Sequence, residues 1–321
     1  MRPLTRFLGD DTRAPPFHHS RGGRAPVLSS SSFLQALVSG ALLGCFYALV
    51  ASGFALTLGV TRALNLAHGE MIVVGGYLGY WLWAGSGLGP LWLMPVAAAA
   101  LLPMGWGVHA LLRRLPEPRE LTSLTAGFGV ALLLQDGMRA LWGSDYRLIA
   151  DSPLTASLHL GPVTLNRGRL AAASAALAVV AFLWAALTRT RWGRAARATS
   201  LDAESAALLG INTDFAALTT LLLSAALTGA SGVLFATLHY VNPAAGGPLV
   251  MVSIVLALWA GIGRIPSLLA AGIALGLVET LGVAWAGPGW RETLVAAALL
   301  LSLLARGDSL ARGMTAGSRP R

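Results

Sequence analysis

Lysine is absent from this chain, and all 23 of its basic residues are arginine. That excludes the phosphate-gripping lysine of a P-loop and any Schiff-base chemistry. If ATP drives the work done here, another chain hydrolyses it. Cysteine occurs once, at Cys45, so no intrachain disulfide can form and the thiol reads as a small packing residue. Charged residues make up only 12% of the chain. The six histidines are scattered, none paired at the spacing of a zinc helix, so no metal site is expected. There is no nucleophile elbow, no pair of catalytic carboxylates and no cofactor loop. Residues 85–89 are glycine-rich but lack the preceding strand and following helix of a phosphate cradle. An enzyme reading therefore has little support, and no cofactor is implied.

What is abundant is apolar surface. Hydrophobic residues account for 55% of the 321, with a mean hydropathy of +0.66. No soluble domain tolerates that composition. Crossing about 30 Å of hydrocarbon takes roughly 20 apolar residues as a helix, and eight or nine such runs can be marked out. The expected fold is an all-α polytopic membrane protein of roughly eight transmembrane helices, some short or broken. The net charge of +9 would suggest nucleic acid in a soluble protein. Here the arginines fall in short loops and tails between apolar runs, as the positive-inside rule requires.

Residues 1–32 are rich in Arg and Pro and are expected to form a disordered or interfacial arm; a translation start near Val27 would explain them equally well. Residues 33–305 form the membrane domain and 306–321 a basic cytoplasmic tail. Within the domain, 33–60 suits one tilted helix with a small-xxx-small pair at Gly40 and Gly44. Runs 91–112, 121–142, 170–188, 215–238 and 268–286 are further spans, with Asp136 and Arg139 placed to pair at i,i+3. The connection 143–169 is expected outside, and the Arg-rich stretch 189–214 inside.

Two interruptions stand apart. Asn65-Leu66-Ala67-His68-Gly69-Glu70 precedes a short apolar run, 71–84, and the breaker cluster 239–248, containing Asn242-Pro243 and Gly246-Gly247-Pro248, precedes another, 249–262. Freed backbone and ionisable side chains at membrane depth are tolerated only against protein or water, so paired interruptions point to a transport pathway. Asn65, His68, Gly69, Glu70 and Asn242 are candidate pathway residues, with the two stretches approaching one path from the two halves. Asn65 and His68 share a face if the helix persists through them. The competing reading is an interfacial turn in which His68 and Glu70 bond neighbouring helix ends.

Glu279 shares a face with Gly272 and Gly276, so its carboxyl points into protein; it is a pathway candidate, though a structural bond between helices is the reading the residues favour. Residues 201–212 read as a short helix, with Asp202 and Glu204 favouring its N-terminus and Gly210 placed to end it. Its Leu-Leu-Gly-Ile end suits a partner's groove, or packing back on its own bundle.

The order Gly44-Cys45-Phe46-Tyr47-Ala48-Leu49, Gly53, Leu56-Thr57-Leu58-Gly59-Val60, residues 65–70 and Gly75-Gly76-Tyr77 resembles the LivH-type permeases, the membrane subunits of branched-chain amino-acid ABC importers. Ala225 to Gly232, Val241-Asn242-Pro243, Gly261-Ile262-Gly263, Ile265-Pro266, Gly272, Leu275-Gly276 and Glu279 continue the likeness over 33–305. The resemblance implies that Arg197, Asp202, Ala203, Glu204, Leu209, Gly210 and Asn212 belong to the loop docking on the ATPase. It also implies the partners: a second related permease, two ATP-binding subunits, a periplasmic or lipid-anchored solute-binding protein, and the bilayer of a bacterial inner membrane. Urea, short amides and other amino acids are served by similar permeases. Ala260 and Arg264 depart from the family pattern. The rival reading is an ATP-independent secondary transporter or channel; a membrane enzyme is third.

Overall fold

Long apolar runs give long helices, and the breaks fall where proline, glycine or asparagine interrupts them. The computed structural model describes residues 30–316 apart from 117–118, 151–153, 155, 161–162 and 262–264. Most of the N-terminal arm, Arg264 and the end of the basic tail therefore lie outside the described residues. The helices are α1 (Ser30–Thr61), α2 (His68–Ser86), α3 (Pro90–Ala100), α4 (Leu102–Leu112), α5 (Arg119–Trp142), α6 (Arg167–Arg189), α7 (Arg191–Leu201), α8 (Ala203–Leu208), α9 (Thr213–Leu238), α10 (Gly246–Ala260), α11 (Ile265–Ala286) and α12 (Arg291–Ala316). The all-α membrane architecture expected from composition is found. Five stretches among the described residues are long and apolar enough to cross a membrane: Ser31–Thr61, Pro90–Leu112, Arg167–Arg189, Thr213–Leu238 and Ser267–Ala286.

Several details differ from expectation. The run 91–112 is a single span, Pro90–Leu112, as expected, but it is broken at Leu101 into α3 and α4, because Pro103 has no N–H to give and its ring excludes the carbonyl four residues back. The polar connection 143–169 folds a small antiparallel hairpin, β1 (Ser157–Leu160) with β2 (Val163–Asn166). The helix expected within 201–212 is α8, but a separate helix, α7, precedes it and carries the Arg cluster. Asp136 and Arg139 pair at 2.8 Å as their spacing suggests.

The hairpin and the α7–α8 pair mark opposite ends of the bundle. Near the start of α1, Gln35 Nε2 donates to Thr164 O at 2.8 Å and Gln35 Oε1 accepts from Thr164 N–H at 2.8 Å. Just past its end, Arg62 donates to the Leu201 carbonyl. α1 itself, 32 residues long, spans about 48 Å at 1.5 Å per residue. α9 runs the other way: it starts beside α8 and ends at Leu238, whose side chain lies against Gly168 next to the hairpin.

The packing repeats with the direction reversed. α1 packs along α11, while α9 packs along α3 and α4; α2 packs on α9, and α10 packs on α1. α1–α2–α3/α4 and α9–α10–α11 are thus two related units of opposite orientation, with α5–α8 between them in sequence. Missing side chains make the close contacts possible. A Cβ at Gly40 would lie 2.9 Å from the Gly276 carbonyl, and Gly44 faces Gly272 still more tightly. On the other side, a Cβ at Gly105 would lie 2.8 Å from the Leu221 carbonyl, and Gly229 presses on Ala97. The small-xxx-small pair at Gly40 and Gly44 meets its counterpart Gly272 and Gly276 across this interface.

Candidate functional site

The two interruptions have the same local construction. Asn65 Oδ1 accepts from Ala67 N–H at 3.2 Å, and the Asn65 carbonyl accepts from His68 N–H at 3.2 Å. Asn242 Oδ1 accepts from Ala244 N–H at 2.9 Å, and its carbonyl accepts from Ala245 N–H at 3.1 Å. Asparagine favours this side-chain-to-backbone turn, and in each case a helix begins within four residues. The sequences read Asn65-Leu66-Ala67-His68-Gly69 and Asn242-Pro243-Ala244-Ala245-Gly246. This Asn-x-Ala-x-Gly repeat is the clearest trace of the duplication in the chain.

The turns correct the sequence reading. The helix does not persist through residues 65–68: α1 ends at Thr61, residues 62–67 are non-helical, and His68, Gly69 and Glu70 form the first turn of α2. The short helices also begin earlier than the apolar runs suggest, at His68 and Gly246, because the turn and not hydrophobicity sets their start. Asn65 and Asn242 spend their side-chain oxygens on backbone N–H groups, so their role in the structure is to end one segment and begin the next.

The two helix starts meet. Residues 62–67 carry the chain from the end of α1 back into the bundle, where the His68 ring Nε2 hydrogen-bonds the Val50 carbonyl at 3.0 Å and meets Phe54 edge-on at 5.6 Å between centroids. Val50 lies eleven residues before Thr61, so this point is about 16 Å up the helix. There Gly69 abuts Gly246, where a Cβ on Gly69 would also reach Val250 N at 3.1 Å. The Glu70 carboxyl packs directly on Gly246. Glu70 is only 6% exposed, and its Oε2 has no hydrogen-bond partner among the described residues. On the far side of α10, Gly247 and Pro248 are exposed, with open space beside Gly247.

Glu279 belongs to a different cluster. Tyr47 O–H donates to Glu279 Oε2 at 2.8 Å, Arg291 Nε donates to Glu279 Oε1, and Arg291 Nη2 donates to the Tyr47 oxygen at 3.0 Å. This closed triangle joins α1, α11 and the start of α12. Tyr47 and Arg291 are partners that sequence reasoning missed, since one is 232 positions from Glu279 and the other begins a new helix.

At the α7–α8 end, Asp202 caps α8 by accepting from Glu204 N–H and Ser205 N–H at 3.0 and 3.1 Å. The Ser205 hydroxyl, at 2.6 Å, and its N–H hold the Asp202 carboxyl below the ordinary aspartate range. Ala203 and Glu204 open the helix, Leu209 follows it, Gly210 takes φ of 81°, and Asn212 caps α9 by accepting from Phe215 N–H at 2.9 Å. Arg197 lies on α7. Leu201, Leu208 and Leu209 are 79%, 85% and 81% exposed.

A family model described as the permease component of branched-chain amino acid transport systems matches residues 36–304. The chain belongs to this family. It is 31% identical, over 76% of its length and 84% of theirs, to the high-affinity branched-chain amino acid transport system permease protein LivH of Escherichia coli (strain K12) and of Salmonella typhimurium. To BraD of Pseudomonas aeruginosa, named as the same kind of permease, it is 29% identical. No solved structure matches the chain. Membership makes the chain a permease component, not a catalytic subunit.

Proposed function

We propose that the chain is one of two related permeases at the core of an ABC importer in a bacterial inner membrane, moving branched-chain amino acids or related small solutes such as urea and short amides. The solute path runs past the meeting point of α2 and α10, where His68, Gly69 and Glu70 lie against Gly246, and along the open side at Gly247 and Pro248, which the second permease covers. The observation that carries this reading is a buried carboxyl, Glu70, whose Oε2 has no hydrogen-bond partner among the described residues, at the place where two helix starts from opposite halves touch. Helix starts present unsatisfied N–H groups and positive dipole ends, and broken helices inside a membrane bundle are tolerated where they line a passage. Asn65 and Asn242 set the two starts, and Glu279 acts as a bond between helices at a distance from them.

ATP-binding subunits dock on α7–α8. Three leucines more than three-quarters exposed beside a cluster of arginines make a poor surface for water and a good one for a partner's groove. A solute-binding protein delivers its cargo at the hairpin end.

The test is thiol accessibility in the assembled importer. In a Cys45→Ser background, single cysteines at Leu66 and Gly247 react with a water-soluble maleimide during turnover, and radiolabelled leucine slows the reaction. Inertness of both positions in every nucleotide state overturns the path.

A further inference from the structure

Arg62 is the described non-glycine residue with positive φ, 52°. It sits between the last turn of α1 and the segment that returns into the bundle. A left-handed backbone is strained for arginine, so something in the surroundings must hold it there. Its guanidinium supplies part of that. Arg62 Nη2 donates to the Leu201 carbonyl at 2.8 Å and reaches the Ser200 carbonyl at 3.5 Å. These are the last carbonyls of α7, which have no acceptor role within their own helix and sit at its negative end. Leu201 is followed at once by Asp202, the cap of α8.

We propose that Arg62 is the positioning residue that carries movement of α7–α8 to the buried meeting point of α2 and α10. The proposal rests on the docking of ATP-binding subunits at α7–α8. From Arg62 the chain has only five residues before His68, and they are held along the way. Ala63 N–H donates to Thr61 Oγ1 at 3.3 Å, Leu64 N–H donates to Ser123 Oγ at 3.3 Å, and Ala67 closes the Asn65 turn. Ala63, Asn65 and Ala67 are buried. A short segment packed in this way has no slack, so a shift of the α7 end pulls on the start of α2 and on Glu70. The inverted half lacks the device: 177 positions on, where Asn242 answers Asn65, His239 answers Arg62. The His239 ring is stacked on Phe235 and lies close to Phe46, and its Nδ1 has no hydrogen-bond partner among the described residues. The arginine link therefore belongs to one end only, the end where the power is applied.

The test uses the full importer, reconstituted in liposomes with its ATP-binding and solute-binding subunits. Arg62→Gly keeps the left-handed backbone and removes the guanidinium; Arg62→Lys keeps a donor. The Arg62→Gly complex is expected to retain its ATP-binding subunits and at least half its ATPase rate, while leucine taken up per ATP falls about tenfold or more. Arg62→Lys recovers part of that ratio. A cysteine at Leu66, in a Cys45→Ser background, changes its maleimide reactivity on addition of ATP when Arg62 is present and does not in Arg62→Gly. Unchanged uptake per ATP, or an undiminished ATP response at Leu66, overturns the proposal, as does loss of the ATP-binding subunits from Arg62→Gly. Docking itself is read separately: if a Leu208→Asp, Leu209→Asp variant still co-purifies with the ATP-binding subunits, the α7–α8 docking reading fails, whatever Arg62 does.

Discussion

Glu70 rests its carboxyl group against Gly246 so closely that no side chain fits between them. The contact joins the first turn of one half-helix to the first residue of its inverted counterpart, and it makes the glycine a steric requirement.

Gly246→Ala should therefore destabilise the protein by about 1–3 kcal/mol, the range for overpacking a tight interior, and reduce leucine uptake. The double variant Glu70→Ala, Gly246→Ala should be more stable than Gly246→Ala alone, since the second change vacates the space that the first one needs. Thermal unfolding in detergent reads both; a double variant no better than the single one would remove Glu70 as the cause.

Gly247 provides the contrast. Nothing lies within contact of a Cβ there, and alanine is the better helix former by roughly 1 kcal/mol. Gly247→Ala should leave the melting temperature unchanged or slightly raised, whereas Gly272→Val, which drives a branched side chain into the backbone at Gly44, should abolish recovery of folded protein.

The Tyr47–Glu279–Arg291 triangle should behave as structure. Glu279→Ala strands a buried tyrosine hydroxyl and should cost about 1–3 kcal/mol, with Tyr47→Phe costing less. The leucine concentration for half-maximal uptake should not move in either. A large rise in that concentration without loss of stability would place Glu279 in contact with solute.

Asp202 predicts a pH effect confined to α8. Its carboxyl is held below the ordinary aspartate range by Ser205, so its capping contribution is fully present above the pKa of a free aspartate and is lost as pH falls through the lower folded value. The hydrogen-exchange protection factor at the start of α8, corrected for the intrinsic rate at each pH, should fall on acidification in the wild type. Asp202→Asn should remove that dependence while keeping most of the cap, and Asp202→Ala should lower protection at the start of α8 already at neutral pH.

The long helices were legible because apolar runs end where arginine, proline or glycine appears, and the two breaks at Asn65 and Asn242 stood out for the same reason. The two breaks meet at Gly69 and Gly246; that they line one solute path is our proposal. Three things were not legible. Pro103 splits a run whose hydropathy never falters. The hairpin is too short for its alternation, Ser-Leu-His-Leu then Val-Thr-Leu-Asn, to rise above the surrounding polar connection. Arg62 looks like any arginine closing a helix, since neither its left-handed backbone nor its reach to Leu201, 139 positions away, leaves a mark in composition or spacing. The Asn-x-Ala-x-Gly repeat marks the duplication only when the two halves are set in register at their breaks.

The repeat also has a mismatch. After Gly69 comes an acid; after Gly246, at the matching place, comes Gly247 with nothing beside it. A bundle assembled from a unit and its upside-down twin would, were the copies identical, present the same chemistry to a molecule arriving from either face of the membrane. One carboxyl without a twin spoils that equivalence, and leaves the two sides of the α2–α10 meeting point chemically unlike.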